Sequence, residues 1–286
     1  MSPVASPSSL IDSAVVHVAQ VSPGYLRVQF DNPPLNLFDP EVFAGLTLLQ
    51  QYVDSAAADV RVVVFESAHP DFFFAHVDFP RVGDISAAAG GRSLIEHWPS
   101  FSTWLSQAPI VSIAKVRGRA RGIGNEFAIA CDLRFASLER AQFCQIEVGF
   151  GMVPGGGALE WLPRHIGRAR ALEMILGAED IDAKTAELYG LVNRSLPDAD
   201  LDEHVDRLAR RIASFPAQSI VRTKALVAAR QQLPATDELQ ESFQAILQLA
   251  TSEDSRAISA RVRAKAGGSL APAELNLPDW YGPEQR

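Results

Sequence analysis

Between Ile110 and Asp132 the chain reads IVSIAKVRGRARGIGNEFAIACD, an order that few folds can accommodate. Ile110 to Val116 is a run of β-branched and small apolar residues broken only by Lys115, as a buried strand would be. Gly118, Gly122 and Gly124 form a loop, and FAIACD reads as a buried helix. A strand that enters a helix through a glycine-rich turn aims the helix's first N–H groups, which lack internal partners, into a pocket. Such an end binds a phosphate, a carboxylate or an oxyanion. Glu126 falls in the first helical turn, and a carboxylate beside anion-stabilising amides suggests chemistry at a carbonyl. The simpler reading is that Glu126 complements the helix dipole and the glycines allow tight packing.

Length and composition limit what surrounds this unit. The chain has 286 residues, 47% of them hydrophobic and 21% charged, enough for one large domain or one domain with an appendage. A net charge of −8 argues against sequence-independent nucleic-acid binding. No apolar run approaches the roughly 18 residues of a membrane span. The first twelve residues, MSPVASPSSLID, have neither the basic start nor the apolar run of a secretory leader. With only Cys131 and Cys144, a reducing cytoplasmic setting and free thiols are expected. The six histidines are scattered and neither HExxH nor CxxC occurs, so no metal site is expected.

In chain order, residues 1–12 are Ser- and Pro-rich and read as disordered. Ala14 to Gln20 and Tyr25 to Phe30 read as strands, joined at Ser22-Pro23-Gly24 into a hairpin. Asn32 to Asn36, with two prolines, cannot be helical. Asp39-Pro40-Glu41 opens a helix running to about Asp54. RVVVFE at 61–66 fits a strand buried on both faces. A helix over Arg92 to Gln107 precedes the central unit, and short strands follow at Leu133 to Ala136 and Ala141 to Cys144. Strands alternating with helices predict a mainly parallel sheet. Beyond Ala158 strand signals almost vanish and helices are expected at 168–176, 182–189, 201–214, 217–231, 236–249 and 253–266. The tail from Gly267, with three prolines, reads as loose or docked on a neighbour. Neither a P-loop, nor GxSxG, nor a complete GxGxxG is present.

Five segments, taken in order, resemble the enoyl-CoA hydratase/isomerase (crotonase) family. They are NPPLNLF at 32–38, FFFAHVDF at 72–79, GRARGIGNEFAIACD at 118–132, AQFCQIEVGFGMVPGGGA at 141–158, and LPRHIGRARALEMILGAEDIDAKTAELYGLVNR at 162–194. The resemblance implies an α/β fold, a crotonase-like spiral of ββα units over residues 13–200, with a C-terminal helical region over 201–266 that trimerises the chain, often as a dimer of trimers. It implies an acyl-CoA substrate, coenzyme A entering only as part of that substrate with no separate cofactor. By position it implies an oxyanion hole made by the backbone N–H groups of Val77 and Ile123. It makes Glu126 and Glu147 the pair of acids flanking the reacting carbons, one activating water for C3 and the other supplying the proton to C2. His76, Asp78, Gly122 and Gly155 belong to the segments expected to line the pocket.

The sequence departs from the family pattern at several points. His76 and Ile123 stand where glycines are usual. His76 is either structural or a titratable group beside the oxyanion site, and the second reading would turn hydration into hydrolysis. Cys144 reads as a buried inert thiol, and Arg117, Arg119 and Arg121 read as a solvated basic loop, with contact to coenzyme A phosphates or a subunit neighbour as the alternative. Three functions follow: a hydratase or isomerase using Glu126 and Glu147, a His76-assisted hydrolase of a thioester or C–C bond, and a non-catalytic acyl-CoA-binding protein.

Overall fold

A computed structural model describes residues 9–55, 59–86, 92–231, 233–266 and 270–281; residues 1–8 of the expected disordered start lie outside them. The chain begins with the hairpin β1 (Val16–Ser22) and β2 (Tyr25–Phe30), turning at Gly24 with φ +75°. It continues through α1 (Pro40–Asp54), β3 (Val62–Ser67), β4 (Phe72–Phe74), β5 (Ile85–Ser86), β6 (Arg92–Ser93) and α2 (Leu94–Gln107). The central unit follows as β7 (Val111–Val116), β8 (Arg119–Arg121) and α3 (Ile123–Ala130). Next come β9 (Leu133–Ser137), β10 (Gln142–Cys144), α4 (Ala158–Ile166), α5 (Arg168–Gly177), β11 (Ile181–Asp182), α6 (Ala183–Tyr189) and β12 (Arg194–Leu196). The rest is helical: α7 (Asp198–Ala213), α8 (Ala217–Gln231), α9 (Thr236–Ala250), α10 (Glu253–Ala266), α11 (Leu270–Leu275) and α12 (Pro278–Tyr281).

A six-stranded sheet runs in the order β1-β2-β3-β7-β9-β12, and a second, four-stranded sheet runs β11-β10-β8-β4. Within the large sheet only the β1–β2 pair is antiparallel. Each of β3, β7 and β9 is followed by a strand of the second sheet and then a helix, so the ββα turn repeats. β3 sits between β2 and β7 with its first five residues buried, as its unbroken VVVFE predicts. The step from β7 to β8 depends on Gly118, at φ +70°. A Cβ there would lie 2.3 Å from the Asp71 carbonyl, so only glycine lets β8 approach β4 and donate from Arg119 N–H to Asp71 O at 2.8 Å.

The core fills the space between the sheets and helices. Phe127 of α3 meets Phe30, Phe65, Phe73 and Phe74 at ring separations of 5.0 to 6.1 Å, mostly edge-on. The outer face of the large sheet is covered by α7, whose Leu201, Val205, Ala209 and Ala213 recur every fourth residue and pack on Tyr25, Val62, Val64, Ile113 and Phe135.

Three sequence expectations need correction. β11 and β12 lie in the stretch beyond Ala158 where strand signals almost vanish and only helices are expected by position. At two and three residues they are too short to show a period. Arg121 is 0% exposed and ion-paired to Asp180, and Arg117 pairs with Asp198 and Asp202, so these arginines anchor packed elements instead of forming a solvated loop. Residues 270–281 of the expected loose tail fold as α11 and α12 and pack on this same chain, with Leu277 and Tyr281 buried.

Candidate active site

A cavity of about 480 Å³ opens beside α3. Its wall includes His76, Val77, Asp78, Gly122, Ile123 and Glu147, which are brought together by three separate pieces of chain. The first is the 72–79 segment. Phe38 N–H donates to His76 O at 2.9 Å and Asp78 N–H donates to Phe38 O at 3.0 Å. These bonds lay Val77 as a parallel bridge against Phe38. The amide lying between two groups committed to Phe38 points the other way in the pleat, and Val77 N–H has no backbone acceptor among the described residues.

The second piece is the start of α3. Gly122 occupies the cap position with φ 50° and ψ −120° and has no side chain to offer the helix. Ile123 is the first helical residue, so its N–H has no partner within the helix. A Cβ on Gly122 would lie 2.7 Å from Glu147 Oε1, so glycine serves both the turn and the approach of that carboxylate. The Ile123 side chain is buried, and the residue lies on the cavity wall.

The third piece supplies Glu147, while α3 itself carries Glu126. Glu147 is 6% exposed and precedes a short turn at Val148–Phe150. Its Oε2 accepts from Gln145 Nε2 at 3.2 Å, and Gln145 Oε1 accepts from Asn125 Nδ2 at 2.6 Å. Burial pushes Glu147 up to about 7, against the opposing pull of its own backbone N–H, Gln145 and His76. Glu126 is 2% exposed. Its Oε1 accepts from Gly156 N–H at 2.8 Å and Ala158 N–H at 3.2 Å. Burial first, and the neighbouring charge of Glu147 second, raise Glu126 well above the usual carboxylate range. The two acids form a coupled pair that resists carrying two negative charges.

Two placements differ from expectation. Glu126 is not among the residues that line the 480 Å³ cavity; the amides of Gly156 and Ala158 hold its Oε1. Gly155 faces α9, where a Cβ would lie 2.3 Å from Ile246 Cγ2, so it permits helix packing and is not part of the pocket lining.

His76 is partly buried with both ring nitrogens engaged. Nδ1 lies 2.7 Å from Val77 O, and Nε2 lies 3.1 Å from Glu274 Oε1 on α11. Burial pulls the imidazole toward its neutral form, but the Glu274 carboxylate and the Val77 carbonyl together raise it above its ordinary value. Two acceptors at two nitrogens favour the doubly protonated ring. No free ring nitrogen then remains to act as a base, which speaks against the His76-assisted hydrolase. Sequence reading missed Gln145, Asn125 and Glu274. Gln145 lies two residues before Glu147, within its motif, whereas Glu274 sits in a Pro-rich tail with no local signal. Cys144 is buried, and burial raises its thiol, as expected of an inert side chain.

Repeated ββα turns around a cavity whose wall includes Val77, Ile123 and the buried Glu147 define a crotonase-fold protein. The family profile for enoyl-CoA hydratase/isomerase matches residues 21–263, and the chain belongs to that family. It is similar over 97% of its length to all of a candidate enoyl-CoA hydratase from Streptomyces avermitilis, with 40% identity and a TM-score of 0.89. It also resembles an enoyl-CoA hydratase from Mycobacterium avium subsp. paratuberculosis K-10, with 26% identity and a TM-score of 0.76, over 87% of this chain and 98% of that one. Against the fatty acid oxidation complex subunit alpha of Aliivibrio fischeri it is 28% identical over 174 residues, which is 60% of this chain and 25% of that protein. The chain therefore spans about a quarter of that curated relative.

Proposed function

We infer that this protein is an acyl-CoA hydratase or isomerase that stabilises a thioester enolate. The observation that supports it most is the shared cavity wall of Val77, Ile123 and Glu147. In this reading the thioester oxygen accepts from the Val77 and Ile123 amides. Negative charge grows on that oxygen as C2 loses or gains a proton, and each preorganised donor contributes about 3 kcal/mol to the barrier. Glu147 exchanges the proton with carbon. A carboxyl group that titrates near 7 populates both its forms at neutral pH, which suits a group that must give and take protons. Glu126 is its proton-holding partner, and its Oε2, which takes no hydrogen bond among the described residues, serves the water step of hydration. No separate cofactor is required, because coenzyme A arrives with the substrate.

We also propose that α8 and its surroundings bind other copies of the chain in a trimer or a dimer of trimers. Phe215, Val221, Leu226 and Val227 are exposed there, beside an apolar groove of about 720 Å³. Light scattering of the purified chain reads the assembly directly.

The reaction is tested with a panel of CoA thioesters followed by mass: a gain of one water for hydration, no change for isomerisation, free coenzyme A for hydrolysis. Turnover is expected on enoyl-CoA substrates. Glu147→Gln should lower it by about 10²- to 10⁴-fold, and Glu126→Gln should impair hydration more than isomerisation. Wild-type rates in Glu147→Gln would remove the mechanism. Tight binding of CoA esters without turnover would favour the non-catalytic reading.

A further inference from the structure

Glu274 is a third acid on the cavity wall, after Asp78 and Glu147, and it lies beyond the residues matched by the family profile. It is 6% exposed. Oε1 is taken by His76 Nε2 at 3.1 Å, while Oε2 is buried and has no hydrogen-bond partner among the described residues. The position is fixed independently of that side chain. Arg121 Nη1 donates to the Glu274 main-chain carbonyl and Nη2 to that of Leu275, with Asp180 pairing the same guanidinium.

A buried carboxylate oxygen with nothing to accept is unfavourable, and a ligand that supplies a donor gains what the free protein lacks. The donor's character follows from the charges nearby. His76, bonded to Oε1, and the nearby Arg121 guanidinium already offset the Glu274 charge, so a second cation is not called for and a neutral donor is. Much of the wall is apolar, including Leu35, Leu37, Ile146, Phe150, Met152 and Leu277, so the bulk of the acyl group is hydrocarbon.

We propose that Glu274 is a specificity-determining residue whose free Oε2 accepts a hydrogen bond from a hydroxyl on the acyl group, making hydroxyl-bearing acyl-CoA thioesters the preferred substrates. The proposal rests on the acyl-CoA reading above. It also accounts for the joint presence of His76, where glycine is usual, and a carboxylate on α11: each holds the other in place. A site built to hydrogen-bond a substrate hydroxyl discriminates strongly against the analogue that lacks it.

The test compares kcat/KM of the full chain for enoyl-CoA thioesters of matched length, with and without a hydroxyl at successive positions along the acyl chain. Wild type should prefer one hydroxylated isomer by at least about ten-fold. Glu274→Leu should abolish that preference, leaving hydroxylated and plain substrates with equal kcat/KM, while Arg121 still holds the main chain. Glu274→Gln provides a second variant of the same size and should weaken the preference. Equal kcat/KM for hydroxylated and plain substrates in wild type, or a preference unchanged in Glu274→Leu, overturns the proposal and leaves the acyl-CoA reading intact. Failure to bind or turn over any CoA ester overturns both.

Discussion

At Glu147 a single side chain carries opposing demands. The proposed reaction draws on its charged form, and its surroundings penalise that form. With its folded value near 7 and its ordinary value near 4.5, the native protein keeps a proton that the unfolded chain releases between those limits. The unfolded state then binds fewer protons, so stability falls as pH rises from about 4.5 to about 7 and levels off above. Glu147→Gln removes the titration. Its stability relative to wild type should therefore increase between about pH 5 and about pH 8, by something on the order of 2 kcal/mol. Denaturant melts across that range measure it, and a pH-independent difference would show that the carboxylate is not held neutral by burial. A variant that is more stable and less active is the pattern expected where a site retains a destabilising group for function.

Among the elements, α3 and α11 matter most for the site, and they differ in how far the sequence announces them. The strand, glycine turn and helix at 110–132 are visible because each part has its own local chemistry, and Asp39-Pro40-Glu41 marks α1 for the same reason. α11 has no such signal. What fixes it is long-range, through the buried Arg121 guanidinium on the Glu274 and Leu275 carbonyls. An arginine in a glycine-rich loop looks solvated until the fold supplies Asp180. This gives a test of the element itself. Arg121→Met leaves two carbonyls and one carboxylate without their buried donor, a loss of about 3–5 kcal/mol when a buried ion pair is broken. Amide hydrogen exchange should quicken across residues 270–281 while β3 and β7 keep their protection. Unchanged exchange in α11 and α12 would mean that the apolar contacts of Leu277 and Tyr281 alone hold the tail.

Across the whole molecule, the repeat of ββα turns and the C-terminal helices gather residues from positions 35 to 277 around one cavity. Five of the six strands of the large sheet were legible because β-branched runs are properties of neighbouring residues, β12 being too short to show a period, and motif order marked the two acids. The positions of Glu126 and Gly155 were not, because they depend on what the fold packs against them: the amides of Gly156 and Ala158 in one case and Ile246 in the other. Motif order thus identifies which residues gather, and only the packed structure separates those facing the cavity from those behind it. The central claim is that this cavity makes and protonates a thioester enolate. Incubating a saturated acyl-CoA in D₂O tests that step apart from hydration or isomerisation. Wild type should exchange deuterium into C2, read by mass and by loss of the C2 proton signal, and Glu147→Gln should not. Bound acyl-CoA with no exchange in wild type, or equal exchange in the variant, would contradict it.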